Sequence, residues 1–168
     1  MKNPEKVKQG KKSRKEGKAF EVKVRKDLTE KGWIVNRFDN NVEFVRTPNE
    51  KGEQLIIPEE TKLITAKGKF NPFTKRVMNM SGGFPDFVSY KLYDEEENFY
   101  DTGAIPKKPI KMYEVIGVEC KMTGKLDKEE KEKCQWLLDN HVFSKILIAR
   151  KGEKRGEIIY EEFKSLSL

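Results

Sequence analysis

Phe20, Val24 and Leu28 recur four residues apart in an otherwise charged stretch, one apolar side chain for each turn of a helix. The spacing predicts a helix from about Glu16 to Lys31, with Gly32 standing where a C-terminal cap is wanted. The period then changes. "WIVNRF" (33–38) and "VEFVR" (42–46) read as two short strands joined at "DNN", a turn signal. "PDFVSYKLY" (85–93) and "IKMYEVIGVECKM" (110–122) read as longer strands. In "LDKEEKEKCQWLLDNH" a second helix is expected, with Asp127 as N-cap and Glu130 completing a capping box. Cys134, Leu137, Leu138 and His141 fall on one face of it. "KILIAR" (145–150), apolar between its ends, predicts a strand covered on both faces, and "GEIIYEEF" (156–163) an edge strand. This order implies an α/β chain with a mixed central sheet flanked by helices.

Between these elements the periodicity fades. Residues 47–80 read as an insertion on the core, with "QLIIP" and "KLITA" as a candidate hairpin. Residues 94–109 read as a second insertion, an exposed loop or extended hairpin. The 168 residues suit one domain, expected over 14–168 behind a flexible basic arm at 1–13. With no run of eighteen apolar residues, no membrane span is expected. "MKNPEKVKQGKKSRKEGK" lacks the apolar stretch of a secretory signal. Cys120 and Cys134 have no zinc-like spacing and are expected as reduced thiols, which suits a cytoplasmic, intracellular setting.

Charge sharpens the picture. The net charge is +7, yet residues 1–26 hold eleven Lys or Arg against three Glu, so the remainder is slightly acidic. Two readings of the basic segment stand open. It is a solubilising tail, or an arm whose Lys11, Lys12, Arg14 and Lys15 follow a phosphate backbone and release its counterions.

The candidate chemistry lies in two strands that carry charges among apolar residues, "GGFPDFVSY" and "VIGVECKM". Residues i and i+2 of a strand share a face, so Glu119 and Lys121 project together while Cys120 turns away with Ile116 and Val118. Asp86, bent in by Gly82, Gly83 and Pro85, reaches the same place if the two strands are neighbours. Two carboxylates and a main-chain carbonyl, that of Cys120, form a hard-oxygen site suited to Mg²⁺, with Mn²⁺ as substitute. A lysine beside them orients a water or steadies charge on a phosphate. An edge strand bearing a surface Glu–Lys pair is the plainer alternative.

The pattern "FPDF … VECK" resembles the PD-(D/E)xK nuclease superfamily. "SRKEGKAFEVKVRKDLTEKGWIVNRF" is similar to the opening of archaeal Holliday-junction resolvases, and "VECKMTGKLDKEEKEKCQWL" to the VRR-NUC branch. The resemblance implies a restriction-endonuclease-like fold and Mg²⁺-dependent endonuclease cleavage of DNA, in repair or recombination of branched structures. It makes Asp86 and Glu119 metal ligands, Lys121 the water-positioning residue, and Glu21 the helix glutamate completing the site. Read from its own position, Glu21 is equally a surface residue paired with Arg25 at i+4. The resemblance adds Gln135 near the site and a possible homodimer. Arg37 and Lys125 are further candidates for the DNA backbone. A flap or end nuclease of the VRR-NUC kind is an alternative, as is a non-catalytic nucleic-acid-binding protein keeping the fold. High Lys and Glu with three Gln fits a thermophile, such as an archaeon or its virus.

Overall fold

The computed structural model describes residues 4–66, 68–71, 75–79, 82–96 and 110–164. Along the chain come α1 (Pro4–Glu30), β1 (Ile34–Arg37), β2 (Asn40–Glu43), β3 (Arg46–Pro48) and β4 (Gln54–Ile56). Next are β5 (Lys62–Thr65), β6 (Gly68–Asn71), β7 (Arg76–Asn79), β8 (Phe87–Glu96) and β9 (Ile110–Cys120). α2 (Lys128–Asp139), β10 (Lys145–Lys151) and β11 (Ile158–Glu162) complete it.

Five strands form the central sheet in the order β1-β8-β9-β10-β11. Only β9 and β10 run parallel, joined through α2, and the other three ladders are antiparallel. The predicted mixed sheet with flanking helices is therefore present. α1 covers one face, where Phe20, Val24 and Leu28 meet Val35, Phe87, Ile116, Val118 and Ala149. α2 covers the other, placing Cys134 and Leu137 against Phe143, Ile146 and Ile148. Because β9 and β10 are apolar on both faces, the sheet carries two cores rather than one.

The helix ends follow the sequence signals. Gly32 has φ of 85° and closes α1, its N–H donating to the Thr29 carbonyl while that of Trp33 donates to Leu28. Asp127 and Glu130 form the capping box of α2. α1 is tied to the sheet edge by the Tyr160 hydroxyl, which donates to Asp27 at 2.6 Å, and Lys31 bonds the same carboxylate at 2.7 Å. Burial alone would push Asp27 up, but those two hydrogen bonds bring it below the usual carboxylate range.

Four expectations need correction. Residues 4–13, read as a flexible arm, are the first turns of α1. Pro4 suits a first turn, and the Lys, Arg, Glu and Gln that follow are good helix formers extending a helix already anchored at Phe20. "DNN" does not join two paired strands, since β1 pairs with β8 whereas β2 pairs with β5. "QLIIP" and "KLITA" do not pair with each other either: β4 pairs with β3. Finally, His141 lies past the end of α2, exposed and with φ of 54°, not on the inward face. Within 47–80, β6 and β7 form a further hairpin. Of the second insertion, residues 97–109 lie outside the described residues. Among the described residues no helix is long and apolar enough to cross a membrane.

Candidate active site

The charged residues collect at the sheet end where β8 begins and β9 finishes, and glycines make the approach possible. Gly83 passes so near the β1–β2 connection that a Cβ there would fall 1.4 Å from the Phe38 carbonyl oxygen. Phe84 N–H donates to the Asn40 carbonyl at 2.8 Å, and Phe38 N–H to the Asp86 carbonyl at 3.2 Å. Pro85, fully buried behind a cis peptide bond, sits against Gly117, where a Cβ would meet its Cγ at 2.8 Å. Asp86 is thereby held at the head of β8, opposite the end of β9.

Each strand then serves the other's carboxylate. Asp86 N–H donates to Glu119 Oε2 at 3.1 Å, and Cys120 N–H donates to Asp86 Oδ2 at 2.9 Å. Lys121 Nζ lies 3.4 Å from Glu119 Oε1 and is hydrogen-bonded to Glu130 Oε1. On the other flank Glu21 of α1 is hydrogen-bonded to Arg37 of β1, not to Arg25. A row of charges thus crosses the sheet end from α2 to α1: Glu130, Lys121, Glu119, Asp86, Glu21, Arg37.

No protein-family model matches this chain, and neither does any curated protein or solved structure. The site must be read from its own chemistry.

Glu119 is only 6% exposed. Its burial, reinforced by the neighbouring Asp86 charge, pushes its carboxyl up to about 8, against the pull of Lys121. Burial also raises Asp86, with Glu21 adding to the rise and the Cys120 N–H opposing it. Burial would lower Lys121, but its hydrogen bond to Glu130 and the charge of Glu119 outweigh that and raise it. For Arg37 too, burial pulls down and the bond to Glu21 more than compensates. Fully ionised, the row sets four carboxylates against two cations, so it is short of neutrality by the charge of one divalent ion. Among the described residues, however, no three or more His, Cys, Asp or Glu side chains are grouped to hold a metal. Glu21, expected as the third acidic ligand, is instead engaged by Arg37 at the margin.

The remaining candidates spread out. Lys11, Lys12, Arg14 and Lys15 are exposed on the first half of α1, and Lys125 is exposed in the loop between β9 and α2. Gln135 bonds Asp139 at 2.8 Å and, with Trp136 and Phe44, lines a groove between α2 and the 47–80 insertion. Cys120 and Cys134 are both free, the first facing α1 and the second on the buried face of α2. Burial pushes the Cys134 thiol up to about 12, as for an inert core thiol.

Sequence reasoning missed the second role of Glu130. One carboxylate oxygen caps α2 by accepting the Asp127 N–H at 2.9 Å, while the other holds Lys121. A capping glutamate nine residues after the site lysine was the available signal. Glu130→Gln preserves the cap, since glutamine also serves there, but removes the charge that raises Lys121. The Lys121 ammonium, followed by NMR of its Nζ, should then titrate at lower pH with helix content unchanged. An unmoved titration would leave Glu130 as a cap alone.

Proposed function

We propose that this chain is a metal-dependent DNA endonuclease of the PD-(D/E)xK kind, hydrolysing phosphodiester bonds at Asp86, Glu119 and Lys121. One observation carries the reading. Two carboxylates 33 residues apart in sequence, Glu119 buried and Asp86 half-buried, lie side by side, each accepting a backbone N–H from the other's strand, with a lysine ammonium against one of them. Burying like charges together is costly, and without a cationic partner it is a poor structural solution.

The donor set fits a hard divalent cation. Asp86 and Glu119 supply two carboxylates. A strand residue's N–H and C=O face the same neighbour, so the Cys120 carbonyl is on the side of Asp86. Mg²⁺ commonly takes one or two carboxylates and completes its shell with water and phosphate oxygens, so a third acidic ligand is not required. When bound it would neutralise phosphate charge and make a bound water more acidic. Lys121, held from both sides by Glu119 and Glu130, would orient the attacking water or steady the charge on the phosphate. Water would add to phosphorus and give up a proton to solvent, the bond to the leaving sugar oxygen would break, and that oxygen would take a proton from a solvent water. Arg37 fixes Glu21 and adds positive charge at the other flank.

Branched or structured DNA is the favoured substrate because the chain's opening pattern is similar to resolvases. Labelled duplex, flap and four-way DNA, incubated with the protein in Mg²⁺ or in EDTA, test the function. The expected result is cutting that requires the metal and is strongest on a branched substrate. Binding without cutting of any substrate in Mg²⁺ or Mn²⁺ would replace this reading with that of a non-catalytic nucleic-acid-binding protein.

A further inference from the structure

We propose that the turn between β10 and β11 and the middle of α1 around Phe20 and Lys23 form the two walls of a cleft that holds the backbone of duplex DNA at the same sheet end as the candidate active site. The proposal rests on the nuclease reading for its choice of partner and goes beyond it in assigning residues of the turn.

Topology brings the parts together. β1 runs towards the site, ending at Arg37 opposite Phe87, and α1 leads into β1 through a tight connection. α1 therefore runs away from the site, and its N-terminal half extends past the sheet at the site end. Among the described side chains of α1, Phe20 is the first buried one. From Lys8 to Lys18 the helix carries six cations, all exposed, over about 15 Å. β10 is parallel to β9, so its turn leaves the sheet at this same end. Lys121 N–H donates to the Ala149 carbonyl at 2.9 Å, and Lys151 N–H to that of Met122 at 3.3 Å. Lys151 is thus a near neighbour of the residue after Lys121.

α1 and the turn line one cavity of about 290 Å³, with Phe20 and Lys23 on one side and Lys151, Lys154 and Arg155 on the other. Glu157 is occupied within the turn, its carboxylate accepting the Lys154 N–H at 3.2 Å. A Cβ on Gly152 would strike that carboxylate at 2.1 Å, so the acid folds back over Gly152 while staying exposed, and Glu153 lines the cavity as well. The four cations Lys23, Lys151, Lys154 and Arg155 are exposed and make no ion pair among the described residues. Set against the two acids Glu153 and Glu157, these four cations leave an excess of two positive charges, a counterion-releasing footprint for a polyanion.

The chemistry selects duplex over single strand. Single-strand grooves add exposed aromatic rings on which bases stack. Here the one aromatic residue of the cavity, Phe20, is 4% exposed and belongs to the core. Cations without a stacking platform match a regular, paired backbone.

The test measures binding by the full chain in EDTA, where nothing is cut. Fluorescence anisotropy of a labelled 20-base-pair duplex and of one of its strands is followed across NaCl concentrations. Lys154→Ala with Arg155→Ala should reduce the slope of log affinity against log salt by about 1.8, two contacts at about 0.9 each. Lys164→Ala, at the opposite end of the sheet, should leave it unchanged. The duplex should bind more tightly than the single strand. An unaltered slope in the turn variant would overturn the proposal, as would preference for the single strand. Because cleavage is not read, the two readings fail separately. A reduced slope in a protein that never cuts would sink the nuclease and keep the cleft; cutting with an unaltered slope would do the reverse.

Discussion

Glu119→Gln will stop cleavage and, in metal-free buffer at pH 8 and above, will make the protein more stable than the wild type. The first effect should be a loss of about a thousandfold, the upper end of what removing one preorganised group at a reacting centre costs. The second follows from burial. The carboxyl of Glu119 is pushed from an ordinary 4.5 up to about 8, chiefly by desolvation and then by Asp86. Between those values the folded chain holds a proton that the unfolded chain has released. The contribution of this group to stability is therefore fully present below about pH 4.5 and is lost as pH rises through about 8. Glutamine has no charge to bury and keeps an acceptor for the Asp86 N–H, so the variant escapes that loss. Even half the gap is worth about 2 kcal/mol, roughly 4–8 °C in Tm for a chain of this size. Thermal unfolding in EDTA from pH 4 to pH 9 checks it. The two melting curves should converge at the acid end and separate towards the alkaline end. A variant less stable than wild type at pH 8 would mean that Glu119 is a structural ion-pair partner.

The second large effect belongs to a glycine. Gly83→Ala will destabilise the fold by about 3 kcal/mol or more and abolish cleavage, whereas Gly82→Ala will be tolerated. At position 83 the added carbon would fall 1.4 Å from the Phe38 carbonyl oxygen and 2.9 Å from that of Asn40, both backbone atoms. No rotamer change relieves such an overlap, so the segment from 82 to 86 must move off the β1–β2 connection. That movement breaks the bond from Phe84 N–H to Asn40 and carries Asp86 away from Glu119. A Cβ at position 82 would meet nothing within 4 Å, so alanine fits there. Denaturant unfolding of the pair separates the two glycines. Equal stability would show that the turn relaxes freely and does not set the position of Asp86.

What was legible in the sequence divides along physical lines. A buried stripe writes itself at one residue per turn, and Phe20, Val24 and Leu28 revealed the anchored part of α1. Caps are local, so Gly32, Asp127 and Glu130 gave helix ends directly. Strands buried on both faces, such as β10, show as apolar runs. Asp86 and Glu119 were legible as candidates because charges interrupt such strands, and their proximity followed once β8 and β9 paired. The first turns of α1 carry no repeating apolar residues, so no hydrophobic period exposes them, and only the helix propensity of their lysines and arginines could have. Strand partners were the other blind spot. "DNN" looks like a turn, but β2 turns from β1 to pair with β5, a non-local choice that a local signal cannot encode. The bonds of Arg37 to Glu21 and of Glu130 to Lys121 likewise join residues from different elements.

The central claim is that Asp86 and Glu119 share one divalent ion. Crystals grown in Mn²⁺ and measured at its absorption edge test this most directly, because the metal's anomalous signal far exceeds that of any other atom in the site. The account predicts a single strong peak bonded to a carboxylate oxygen of each residue and lost in Glu119→Gln. A peak bonded to neither carboxylate, or no peak at the sheet end, would contradict it.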